Sequence, residues 1–107
     1  MSAESLGIIE TRGIASAVDA ADAAVKSANV EVIGWKSVGS GINAVFLNGD
    51  VGAVKAATDA AARSVSMLGS DLLIGVHVIA RPHEDTQRLL DAYLGVSVAS
   101  PAPGKSA

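Results

Sequence analysis

The hydrophobic residues of this chain switch repeatedly between two periods, and that switching limits the folds open to it. Leu6-Gly7-Ile8-Ile9-Glu10-Thr11-Arg12 is a short run, rich in β-branched residues and bounded by polar ones, which reads as a strand. Gly13 breaks it. From there Ile14, Ala17, Val18, Ala21, Ala24, Val25 and Ala28 recur at spacings of three and four, one face of a helix. Asp19, Asp22 and Lys26 fall off that face. Asp22 and Lys26 stand four apart with the acid first, the favourable order for a helical ion pair. Asn29 tolerates a left-handed backbone and is placed to stop the helix.

The pattern then returns to strands. Residues 30–38 and 42–48 flank Gly39-Ser40-Gly41, which predicts a hairpin. Asp50 is placed to cap a second helix over 51–68, whose apolar face is Val54, Ala57, Ala61, Val65 and Leu68, with Gly69 as its stop. Residues 72–80 form a fourth strand, so continuously apolar that a central place in the sheet is expected. Arg81-Pro82-His83 turns the chain into a short third helix over 84–94, with Glu84 and Asp85 where the helix dipole favours acids. Residues 95–107 hold two of the three prolines among Ser and Ala and read as a flexible tail, leaving one domain over 1–94.

This order is the split-βαβ, ferredoxin-like arrangement: an α+β fold with a four-stranded antiparallel sheet and two helices on one face. The third helix must pack at an edge or on the open face. A chain of 107 residues suits one domain. Its apolar content is mostly Ala and Val, with Trp35, Phe46 and Tyr93 the only aromatics. Each small side chain buries little area, at about 25 cal/mol per Å². Part of the stability is therefore expected from contacts between copies.

The chemistry available is sparse. Without cysteine there is no disulfide, no thiol nucleophile and no cysteine-based zinc site. A net charge of −3 with scattered Lys and Arg argues against nucleic-acid binding, and three aromatics are too few for a base-stacking platform. No apolar run approaches the ~18 residues of a membrane span. Met1-Ser2-Ala3-Glu4-Ser5 lacks an export signature, so a cytoplasmic location is expected. His77 lies mid-strand with no second ligand at metal-binding spacing, and His83 at a helix mouth reads as a cap or a surface contact. Glu10 in the first strand needs a partner, and Arg12 on the same side is expected to supply it. Asp19 and Asp22 read as solvated surface. Gly39-Ser40-Gly41 feeds a strand rather than a helix, and Asp50 would repel an anion from the second helix, so no phosphate cradle is expected. No catalytic set, no metal site and no cofactor are expected.

Five segments occur in order at matched spacing: Glu10-Thr11-Arg12-Gly13, Val25-Lys26-Ser27-Ala28-Asn29-Val30, Val38-Gly39-Ser40-Gly41, the block from Gly49 to Ala60, and His77-Val78-Ile79-Ala80-Arg81-Pro82-His83. Together they resemble the single-domain, hexamer-forming shell proteins of bacterial microcompartments, over roughly residues 5–94. The resemblance implies cyclic hexamers that tile into a sheet, with pentameric vertex proteins closing it around enclosed enzymes. It implies that Gly39, Ser40 and Gly41 line a pore for small polar metabolites. It places Lys26, Asn29, Arg81, Pro82 and His83 at the edge between hexamers. Ala80 stands where family members often have proline, Trp35 where they often have tyrosine, and residues 70–75 look about two residues longer. The rival readings are a metabolite-binding regulatory module on a ferredoxin-like fold and a small hydrolase.

Overall fold

The computed structural model describes residues 4–95. Its elements are β1 (Ser5–Arg12), α1 (Ile14–Ser27), β2 (Glu31–Gly39), β3 (Ile42–Gly49), α2 (Val51–Leu68), β4 (Leu73–Ile79) and α3 (Glu84–Leu94). All strand pairs are antiparallel, in the order β2-β3-β1-β4. This is the expected ferredoxin-like sheet. Of the tail expected at 95–107, only Gly95 is described; it caps α3 in the left-handed conformation at φ 76°, and residues 96–107 lie outside the described residues.

One strand is misplaced by sequence reasoning. β4 is an edge strand rather than a central one. Its continuous hydrophobicity reflects apolar side chains on both of its faces. Leu73 and Val76 pack into the core beneath the helices, while Ile74 and Ile79 stay partly uncovered.

The main core lies between the sheet and α1 with α2. Ile9, Val45 and Leu47 from the strands meet Ala17, Ala20 and Ala24 of α1 and Ala57, Ala61 and Val65 of α2. The face of α2 is nearly the expected one, except that Leu68 is exposed. That of α1 is rotated. Ser16, Ala17, Ala20 and Ala24 are buried, whereas Ile14, Val18 and Val25 face outward. A face of alanines lets the helix lie close to the sheet, and the larger side chains are turned out of that narrow space. The chain also leaves α1 through Ala28 in extended backbone, rather than through a left-handed Asn29.

Asp50 caps α2 as expected, its carboxylate accepting from the Ala53 amide at 2.9 Å. Gly69 follows α2 in extended backbone, its N–H donating to the Val65 carbonyl. α3 lies on the opposite, open face of the sheet. There Leu90 joins Leu6, Ala44 and Phe46, with Ile8, Ile33 and Leu94 packed around them. Tyr93 meets Phe46 edge-on at 6.3 Å between ring centroids, and the Lys36 ammonium sits 5.2 Å from the Tyr93 ring centre.

The tightest contact between layers is at Gly7. A Cβ there would fall 2.8 Å from Val54 Cγ1 and 3.1 Å from Thr58 Cγ2. Gly7→Ala is expected to force β1 and α2 apart and cost about 1–3 kcal/mol, read as a lower denaturation midpoint in urea with an unchanged slope.

Candidate functional site

The strand register gives the domain two distinct ends. Ser5 pairs with Gly49 and Arg12 with Ile42 across β1 and β3, and Glu31 pairs with Asn48 across β2 and β3. The Gly39-Ser40-Gly41 turn therefore sits beside the end of β1. At the other end lie the start of β1, the start of β2 and the exit of β4. Eight residues of strand separate the two ends, roughly 25 Å at ~3.3 Å per residue.

At the first end, Gly39 pairs with Ile42 across a two-residue turn of Ser40 and Gly41. Their φ values of 55° and 78° are the positive pair of a type I′ hairpin, and Gly39 precedes them at 94°. Side chains at Gly39 or Gly41 would meet nothing within 4 Å, so the turn projects into open space. It is seated from behind by the Gly13 amide, which donates to the Gly41 carbonyl at 2.7 Å. The Asn43 side-chain amide approaches the same oxygen at 3.5 Å.

The second end gathers the remaining residues singled out by the sequence. Lys26 occupies the last turn of α1, and the Asn29 carbonyl packs against Gly49, 3.1 Å from where a Cβ would stand. Arg81 follows β4 at φ 47°, its amide donating to the Ser5 hydroxyl at 3.4 Å. Pro82 is buried. His83 caps α3, its Nδ1 accepting from the Asp85 amide at 3.0 Å, the capping role expected of it. Ser5, Asp50, Val51, Ala80 and Arg81 line a shallow open cavity there. So the structure separates Gly39, Ser40 and Gly41 from Lys26, Asn29, Arg81, Pro82 and His83, at opposite ends of one sheet.

The two flanks between these ends also differ. Along β2 and α1 runs an apolar groove of about 270 Å³, lined by Ile14, Ala17, Val18, Val32 and Trp35 among others. Val18 is 62% exposed and Trp35 58% exposed. The flank of β4 and α2 carries a different apolar set, with Ile74, Ile79, Met67 and Leu68 exposed. Sequence periodicity missed the groove, because it assigned Ile14 and Val18 to the core.

Glu10, Arg12 and Asp19 find local partners. Glu10 does not pair with Arg12. Its carboxylate lies 3.5 Å from His77 Nε2 on β4, while the Arg12 guanidinium Nε donates to the Asp71 carbonyl at 3.4 Å. The β1–β4 register shifts between Glu10 and Thr11, and cross-strand register is not readable from one strand's sequence. Asp19 accepts from the Ser64 hydroxyl at 2.7 Å, tying α1 to α2. Among the described residues no group of three or more His, Cys, Asp or Glu is arranged to hold a metal ion, and no helix is long and apolar enough to cross a membrane.

Lys26 and Asp22 form the expected helical pair at 2.9 Å, both exposed. The hydrogen bond and the charge of Asp22 hold the Lys26 ammonium above its ordinary value of 10.5. A raised lysine value means that the pair's contribution to the folded state is complete below about 10.5 and is lost as pH climbs through the folded value. Asp22→Asn should bring the Lys26 titration back towards 10.5, measured by NMR at the Lys26 side chain.

Comparison with known proteins identifies the family of the chain. The BMC domain model matches residues 5–82. The bacterial microcompartment shell protein PduA of Citrobacter freundii is 51% identical over 90 residues, covering 84% of this chain and 95% of that protein. EutM of Escherichia coli K12, another such shell protein, is 46% identical over 86 residues, with 80% of this chain and 87% of its own length covered. The carboxysome shell protein CsoS1 of Prochlorococcus marinus is 46% identical over 85 residues, covering 79% and 82%. A crystal structure of a microcompartments protein from Desulfitobacterium hafniense superposes with a TM-score of 0.70 at 27% identity, over 91% of this chain. The chain spans half the length of that crystallised protein. With its fold, its family model and its close relatives in agreement, the chain belongs to the BMC-domain family of bacterial microcompartment shell proteins.

Proposed function

We infer that this chain is a structural shell subunit whose copies close into a cyclic homohexamer, that the hexamers tile edge to edge in the cytosol, and that it catalyses no reaction. The observation that carries this reading is the pair of unlike apolar flanks on one domain. The groove along α1 and β2 exposes Val18 and Trp35, and the β4–α2 flank exposes Ile74 and Met67. Two different patches on one chain suit a heterologous, head-to-tail contact, and such a contact gives a ring when the rotation closes. A patch that met only itself would favour a twofold dimer instead. Six as the copy number comes from kinship with the hexamer-forming shell proteins.

In such a ring the two ends acquire roles. Six Gly39-Ser40-Gly41 turns converge on the axis, where only small side chains fit. Each contributes a Ser40 hydroxyl and nearby backbone groups, making a narrow, polar and uncharged opening for small polar metabolites. Lys26, Asn29, Arg81, Pro82 and His83 fall on the outer rim, where neighbouring hexamers meet. In a tiled sheet the Lys26 side chain, paired with Asp22 in the single chain, would lay its stem along that rim and turn its ammonium to carbonyl acceptors across it. Pentameric vertex proteins and enclosed enzymes are the further partners of the assembled shell.

Native mass spectrometry should find a species of six times 10.7 kDa. Val18→Asp, which places a charge in the groove, should convert it to monomers. A dimer that responds to added metabolite would overturn the reading in favour of a regulatory module. Lys26→Ala is expected to leave the rings intact and abolish extended sheets in negative-stain microscopy; unchanged sheets would remove Lys26 from the rim contact.

A further inference from the structure

The polar residue buried in the first turn of α1 has a consequence for the Gly39-Ser40-Gly41 turn. Ser16 is only 2% exposed, on the face of α1 that otherwise buries alanines. Its hydroxyl donates to the Arg12 carbonyl and also lies 3.0 Å from the Gly13 carbonyl oxygen. The Arg12 carbonyl and the Gly13 N–H are the two ends of one peptide group. The Gly13 N–H in turn donates to the Gly41 carbonyl at 2.7 Å. A continuous chain of hydrogen bonds thus runs from the Ser16 hydroxyl, through the Arg12–Gly13 peptide, to the turn. Each bond in such a chain polarises the next.

Gly13 makes this line possible. It stands at φ 92° and ψ 159°, a conformation essentially reserved for glycine. Nothing but Ser16 Oγ, at 3.9 Å, approaches the position its Cβ would take. The backbone is bent there so that the Gly13 amide points at the turn while its own peptide oxygen is held from the helix side.

We propose that Ser16 is a positioning residue for the turn: acting through the Arg12–Gly13 peptide, it holds the Gly41 carbonyl back and so tips the turn's balance of free groups towards hydrogen-bond donors. With the Gly41 oxygen occupied, one acceptor is withdrawn from the turn, while the Ser40 hydroxyl, the Ser40 carbonyl and the Ser40 and Gly41 amides bond to no described residue. Withdrawing one acceptor from each copy shifts a ring of such turns towards acceptor-rich and anionic solutes. This rests on the reading of the turn as the lining of a pore. It adds that selectivity is set from the buried side of α1 by a residue that touches no solute.

The test uses the assembled full-length chain, carrying Ser16→Ala, Ser27→Ala or Ser40→Leu. Ser27 donates to the Ala24 carbonyl at 3.0 Å in the same helix, at the end far from the turn, and serves as the matched control. Hydrogen–deuterium exchange reports the Gly13 amide. Chloride-over-potassium permeability of rings spanning a planar bilayer reports the opening. Ser16→Ala is expected to speed Gly13 exchange about tenfold and lower the anion preference at least twofold, with Ser27→Ala changing neither. Unchanged Gly13 exchange in Ser16→Ala overturns the relay. Faster exchange with an unchanged permeability ratio, while Ser40→Leu still reduces flux, overturns the selectivity role and leaves the pore standing. Flux unaffected by Ser40→Leu removes the pore, and the selectivity role with it, whatever Gly13 does.

Discussion

Close approach between helix and sheet, made possible by the alanines of α1 and α2 and by Gly7, underlies the rest of this structure. Ala17, Ala20, Ala24, Ala57 and Ala61 are all buried where α1 and α2 meet the strands. At Gly7 even a methyl group has no room. Tight packing recovers dispersion contacts that bulky side chains would otherwise supply. Its cost is a core with little apolar area per residue. The bulkier residues Ile14, Val18 and Trp35 are excluded from the thin space between layers and stand on the surface. That displaced hydrophobicity forms the groove along α1 and β2, which a second copy could cover.

The same architecture separates tasks along the sheet. Because β1 and β3 run the length of the domain, the Gly39-Ser40-Gly41 turn and the Lys26–Arg81 end are rigidly spaced. α1 runs between them, from Gly13 beside the turn to Lys26 at the far end. In the proposed ring, a small glycine-flanked turn would leave room for its symmetry mates. Long charged side chains at the opposite end have reach across a gap. The proposed roles of pore and rim rest on the size of the residues at each end.

Much of this was legible in the sequence. Element order and most boundaries follow from period changes and from punctuation by Gly13, Asp50 and Gly69. α2 and α3 match their expected ranges of 51–68 and 84–94. The Asp50 and His83 caps and the Asp22–Lys26 pair are local, and local chemistry is written in adjacent residues. The failures share a different cause. The rotation of α1, the edge position of β4 and the Glu10–His77 pairing all depend on which elements become neighbours. A strand that is apolar on both faces reads as central even when its second face waits for a partner outside the chain. Ser16 was likewise invisible, since a lone serine at the start of a helix carries no mark of what lies behind it.

The placement of α3 makes the sheet a two-sided object. α1 and α2 cover one face, while α3 covers only part of the other and leaves Glu10 and His77 accessible near the β4 edge. A layer assembled from copies in a common orientation would therefore have no mirror plane within it. Its obverse and reverse would offer different chemistry to whatever lies on each side, and a single subunit inserted upside down would be a defect that its neighbours can detect.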